Sequence, residues 1–149
     1  MQFLGPVNFN DTFFIPTPFS LSGGFESGND GWSGPVSRST EVPRTGTYSL
    51  SFTDGNIVKT ITLSDAVGLT VTVQFYARRG FAGSGDMEIK YRYGAGADVT
   101  ISGPTALTSS YVLFTGSFLV TQDGPLTITG ANTVGITGWM DDWSIVGVI

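Results

Sequence analysis

The sequence predicts an all-β antiparallel sandwich preceded by an extended N-terminal arm. Three observations carry this expectation. Leu69, Val71, Val73, Phe75 and Ala77 alternate with Thr70, Thr72, Gln74, Tyr76 and Arg78, the period of two that half-buries a strand. Glycine-rich turns at 80–85, 94–96, 103–104 and 124–125 punctuate further runs of this kind. No window sustains the 3.6-residue period of a helix of ordinary length.

In chain order, residues 1–20 differ in character from the rest. They hold five of the 11 Phe (Phe3, Phe9, Phe13, Phe14, Phe19) and three of the 7 Pro, with Asp11 as their only charge. Prolines at 6, 16 and 18 forbid a central strand, so the segment reads as an arm. The body, residues 21–149, then supplies strands at 47–53 and 56–63, with Asp54-Gly55 between them reading as a tight hairpin. The alternating run 69–78 follows, then 87–93, where Met87, Ile89, Tyr91 and Tyr93 alternate with Glu88, Lys90 and Arg92. Further strands are expected near 98–102, 108–120, 125–129 and 134–148. Leu50, Phe52, Val71, Val73, Phe75, Ile89, Trp143 and Ile145 are expected to point inward.

A chain of 149 residues suits one domain that buries roughly 70% of its unfolded surface. The formal charge of −5 repels phosphate backbones and argues against nucleic acid as a partner. The chain has no Cys and no His, which removes disulfides, thiolate chemistry, His-based triads and the usual zinc sites. No stretch approaches the apolar length of a membrane span. The Met1–Pro6 start lacks the basic and apolar parts of a secretory signal, so a cytoplasmic product is expected.

The order of local motifs narrows the fold. Gly23-Gly24-Phe25-Glu26-Ser27-Gly28 leads to Trp32, then to Arg44-Thr45-Gly46-Thr47-Tyr48-Ser49-Leu50 and Val73-Gln74-Phe75-Tyr76-Ala77-Arg78. The chain closes on Met140-Asp141-Asp142-Trp143-Ser144-Ile145-Val146. This succession, over about residues 20–149, resembles the galactose-binding-like jelly roll of xylan- and glucan-binding modules. One departure is Ser22, where the family often has Asn. The resemblance implies a structural Ca²⁺ held by Glu26 with Asp141 or Asp142. Trp143 and Ile145 share the parity of Asp141, which places this carboxylate inward and in need of a partner. The alternative is a metal-free Asp141 that accepts hydrogen bonds from backbone N–H or hydroxyl groups.

Catalysis is not expected. Glycoside hydrolysis needs two facing carboxylates, and the three Glu (Glu26, Glu41, Glu88) fall in unsuitable places. Glycan binding has candidate residues: Tyr76 with Gln74 and Arg78 on one polar stripe, with Glu88, Lys90 and Arg92 on a neighbouring strand. Trp32, Phe81 and Trp139 stand in or beside loops and suit a rim, although Trp32 and Trp139 more often serve as core plugs in a fold of this kind.

The arm sets the leading functional expectation. Burying five Phe contributes about 10 kcal/mol, whereas fixing 20 backbones costs at least about 20 kcal/mol. Extended, the arm reaches about 65 Å, far enough to lie over a neighbouring subunit. Alternatively it folds back as an extra edge strand. The layout of arm and jelly roll resembles the capsid decoration (cement) proteins of tailed phages. That resemblance of layout implies a trimeric virion structural protein on the capsid surface, bound to the major capsid protein or another virion protein, and the arm's aromatic residues Phe3, Phe9, Phe13, Phe14 and Phe19 are the expected anchors. The second expectation is a carbohydrate-binding module, with Trp32, Tyr76, Arg78 and Phe81 as its contacts.

Overall fold

The computed structural model describes residues 14–80, 84–132 and 136–149. These hold strands β1 (Phe19–Gly23), β2 (Trp32–Ser33), β3 (Val36–Ser39), β4 (Ser49–Thr53), β5 (Ile57–Leu63) and β6 (Thr70–Arg79). They continue through β7 (Asp86–Tyr93), β8 (Val99–Ala106), β9 (Val112–Leu119), β10 (Gly124–Asn132) and β11 (Thr137–Val148), with no helix among the described residues. Two antiparallel sheets face each other as a jelly-roll sandwich. One runs β3-β4-β11-β6-β9 with β1 also on β11; the other runs β2-β5-β10-β7-β8.

Alternation explains which side chains meet. Every second residue of β6 (Val71, Val73, Phe75, Ala77) is buried, as are Leu50 and Phe52 of β4, Ile89 of β7 and Trp143 and Ile145 of β11. The inward residues expected from the sequence are therefore all in the core. Phe75 lies at its centre, stacked on Phe114 at 5.6 Å and edge-on to Trp32 at 6.3 Å. Trp32 in turn meets Trp143 at 5.8 Å, closing one end of the sandwich.

Two local expectations are corrected. Asp54-Gly55 makes a tight turn, with Asp54 at φ 41°, but β4 and β5 enter opposite sheets and do not pair. The turn is an arch between layers, because the inward faces of both strands must meet the core from opposite sides. Likewise β6 and β7 are not neighbours. The polar stripe of Tyr76 and that of Glu88 consequently lie on opposite outer faces of the sandwich.

The last strand β11 changes partner midway. Its first half, Thr137–Met140, pairs with β4 and its second half, Trp143–Gly147, pairs with β1, while β6 holds the other edge throughout. A bulge between Asp141 and Ser144 marks the change, with Asp142 at φ 48°. The bulge resets the parity of the strand. Met140 and Trp143 both face the core, and Asp141, opposite Tyr76, sits on the outer-face side. The inward direction expected for Asp141 is thereby corrected.

β1 begins at Phe19, inside the segment read as an arm. Phe19 packs against the core of its own sandwich, close to Gly147. The Thr17 N–H donates to the Asp65 carbonyl at 2.8 Å. Phe14 is 59% exposed, and Phe3, Phe9 and Phe13 lie outside the described residues.

Phe75→Ala is expected to cost about 3–5 kcal/mol, because the tightly packed centre cannot collapse around the cavity. Chemical denaturation of the variant measures this directly. A loss below about 1 kcal/mol would mean that the core is not organised around this ring.

Candidate functional site

The residues singled out in the sequence fall into two groups on the two outer faces. On the six-stranded sheet, the connection between β3 and β4 folds over the bulge. The buried Asp141 carboxylate, 0% exposed, accepts backbone N–H bonds from Arg44 at 2.8 Å, Thr45 at 3.2 Å and Asp142 at 2.8 Å. Burial raises its pKa above the usual carboxylate value, and those three donors offset only part of the rise. Asp142 accepts from the Arg44 guanidinium at 2.7 Å and the Thr45 hydroxyl at 2.6 Å. Glu26 accepts from the backbone N–H groups of Thr47 and Tyr48 at 3.0–3.1 Å. Gly46 is required here: it sits at φ 62°, and a Cβ would strike the Glu26 carboxylate.

This donor set does not fit Ca²⁺. A hard cation needs several oxygen ligands turned toward one point. Here N–H donors and a guanidinium take up the carboxylate oxygens, and no group of three or more metal-ligating side chains exists among the described residues. Glu26, Asp141 and Asp142 pin the 44–48 segment through these hydrogen bonds. Asp30 belongs to the same device, since its carboxylate accepts from Phe25 N–H at 2.9 Å and Trp143 Nε1 at 3.0 Å.

The pinned segment also reaches Tyr76, one of the aromatic residues expected to bind sugar. The Arg44 guanidinium lies 3.5 Å from the Tyr76 ring centroid, so one face of that ring is taken. Arg78 sits 5.8 Å from both the Tyr111 and Trp139 rings, and Trp139 is only 4% exposed. Tyr111 donates its hydroxyl to the Val42 carbonyl at 2.5 Å, and burial pushes its pKa up to about 12. Trp32 is 2% exposed and has no ring face for a ligand, because it plugs the core. Phe81 lies outside the described residues. Trp32 is thus held in the core, while Tyr76 and Arg78 share the outer face of β6.

The opposite face is open. On the five-stranded sheet, β7 turns Asp86, Glu88, Lys90 and Arg92 outward beside β10 and β8. The neighbouring outward hydroxyls Thr127 and Thr129 of β10 are buried, and Thr127 lies 3.2 Å from Thr60 of β5. A cleft of about 410 Å³ lies here, lined by Asn56, Asp86, Glu88, Lys90, Pro104 and Asn132 among others. Glu88 and Lys90 pair at 3.6 Å across its wall. Sequence alternation alone exposes the β7 residues; Asn56 and Asn132 carry no local signal, since only sheet pairing brings them beside β7. A second groove, of about 230 Å³ between β1 and β5, is mostly apolar, with Phe19, Leu21, Ile61 and Leu63 in its walls.

No family model matches the chain, and no curated protein matches it. Solved structures do. The CBM22-1 xylan-binding domain from Paenibacillus barcinonensis Xyn10C superposes with a TM-score of 0.73 at 19% identity, covering 90% of this chain and 97% of that one. The CBM22-1–GH10 modules of Clostridium thermocellum Xyn10B, complexed with xylohexaose, give 0.73 at 11% identity over 85% of this chain and 28% of that one. TmCBM61 in complex with β-1,4-galactotriose gives 0.56 at 15% identity, with 92% of each chain covered. At these identities the likeness is one of fold. It corrects the leading expectation of a virion decoration protein, because the body matches carbohydrate-binding modules. The physical premise of that expectation also fails in part: the chain from Phe19 onward is ordered by its own sandwich.

Asp141→Ala is expected to cost about 1–3 kcal/mol, since the part-buried N–H groups of Arg44, Thr45 and Asp142 lose the carboxylate they share. Equilibrium denaturation checks this, and a neutral result would dismiss the carboxylate as the pin of the 44–48 segment. Tyr111 sets an alkaline limit. Between pH about 10 and about 12 the folded state keeps a proton that the unfolded state has lost. The folded state then binds more protons, so stability falls as pH rises across that window. Tyr111→Phe should flatten this part of the melting-temperature profile, and an unchanged slope would assign it to another group.

Proposed function

We infer that this protein is a non-catalytic carbohydrate-binding module whose glycan lies along the cleft of the five-stranded sheet. The observation that carries the reading is the cleft itself: carboxylate, ammonium and amide groups converge on an open groove backed by paired strands. Such groups match the dense hydroxyls of a sugar, and rigid strands hold them in place before the ligand arrives. The fold agrees, because the similar structures include a xylan-binding domain and a module in complex with galactotriose. β-Linked xylose or galactose oligomers are accordingly the first ligands to try.

Catalysis is not part of the reading. Asp86 and Glu88 rise from one strand at alternate positions, and so from one side of any bound chain. Hydrolysis requires carboxyl groups that flank the scissile bond.

The lining includes no aromatic ring among the described residues. Binding then rests on hydrogen bonds worth about 1 kcal/mol net each, and four of them correspond to a Kd of about 1 mM. Titration calorimetry with xylo- and galacto-oligosaccharides is expected to show weak binding of this order. Glu88→Ala and Lys90→Ala should each weaken it roughly fivefold or more, a loss of about 1 kcal/mol. Tyr76→Ala should leave it unchanged, because Tyr76 is on the far face. Binding abolished by Tyr76→Ala would move the site to the six-stranded sheet, and no binding to any oligosaccharide would overturn the function.

A further inference from the structure

Below the bulge of β11, the outer face of the six-stranded sheet carries no charged side chain. Three rows of outward residues cross β1, β11, β6 and β9 there, and the middle row reads Ser20, Val146, Thr72 and Ser117. The rows on either side are likewise built from Ser, Thr, Val, Leu and one Gln. The lower margin of this face is apolar. Nine large hydrophobic residues are exposed among the described residues, and six of them gather at this end: Phe14, Ile15, Val67, Leu119, Val148 and Ile149. Leu119 and Val148 flank Thr70 in the lowest row. The Gly68 N–H donates to the Val120 carbonyl at 2.9 Å, which brings Val67 beside Leu119. Pro16 lies against Gly68 and carries Phe14 and Ile15 to the same end.

Size and chemistry both fit a second copy of this chain. The six residues leave on the order of 600 Å² of apolar side chain open, the top of the range for a monomer. The sheet face adds about 14 Å by 14 Å. Together they come close to the ~800 Å² per partner of a standard stable interface. Each copy has a formal charge of −5, so two copies repel wherever their carboxylates meet, and the outward rows here offer none. A hydroxyl both donates and accepts, so a row of hydroxyls complements its own copy, as a row of like charges does not. Thr72 and Ser117 already exchange such a bond at 2.8 Å. We propose that two copies pair back to back through this face across a two-fold axis. The clefts of the two five-stranded sheets then open on opposite sides of the dimer. On the glycan-binding reading the dimer is bivalent, and weak contacts to a polymer reinforce one another.

Sedimentation velocity on the full chain tests the pairing. At about 0.1 mM the protein should run at twice the chain mass. Thr72→Lys and Leu119→Lys each place a charge in the face and should give monomers with the folded near-ultraviolet spectrum intact. Thr62→Lys, on the outer side of β5, controls for the added charge and should stay dimeric. A wild-type monomer at that concentration overturns the proposal, as does a dimer that survives both face variants. A chain that dimerises only after residues 1–13 are removed assigns the face to its own segment and overturns it too. On insoluble xylan or galactan the wild type should bind at least about tenfold more tightly than Thr72→Lys, while a tetrasaccharide should bind both alike. Equal binding to the polymer overturns the bivalent role. A dimer that binds no glycan upholds the pairing and overturns the proposed function.

Discussion

A single buried carboxylate organises the six-stranded sheet. Asp141 stands where β11 leaves β4 and takes up β1, and a strand cannot change partners on one edge without a gap. The gap exposes backbone donors of the crossing segment, and Asp141 accepts two of them, from Arg44 and Thr45, together with its successor's N–H. An unmet N–H at such a place carries a desolvation penalty comparable to the bond it lacks. The bulge that positions the carboxylate also rotates Trp143 into the core, where it meets Trp32 and donates to Asp30. Hydrogen bonding on the outer side and aromatic packing on the inner side are thus set by one backbone irregularity.

This constraint divides the two faces of the sandwich by role. The segment that Asp141, Asp142 and Glu26 pin lies over the six-stranded sheet and brings Arg44 onto Tyr76. The aromatic groups of that side become parts of a small secondary core. No comparable segment crosses the centre of the five-stranded sheet in the described residues, and its outward charges are left around a cleft. The pinned segment closes over one face, and an open, polar groove lies on the other.

The first residues of β1 show where the segment read as an arm joins the sandwich. Phe and Pro between residues 1 and 20 do mark a compositional break. Yet Phe19 finds its apolar contact beside Gly147, on the strand half that β4 has vacated. The vacancy begins at the Asp141–Ser144 bulge, about 120 residues downstream. The comparison of ordering cost with apolar burial therefore lacked a term supplied by the chain's own far end.

Period-two alternation determined the strands from β4 onward, the inward residues chosen from them and the all-β class, because a pleated strand presents alternate side chains to opposite faces whatever its neighbours are. The motif order around Gly23–Gly28, Arg44–Leu50 and Met140–Val146 was enough to indicate the jelly roll, since those segments converge on one junction. The outward residues Glu88 and Lys90 were legible on the same grounds. Only the tertiary structure decided which stripes share a face. Tyr76 and Glu88 belong to strands that look adjacent in sequence but are hydrogen-bonded into different sheets. Whether an outward side chain is open or roofed was equally beyond the sequence. Nothing local to Tyr76 reveals that Arg44, held by Asp142 on a strand nearly 100 residues away, lies across its ring. Strand periodicity is a property of adjacent residues, whereas the cleft is made by pairings between distant ones.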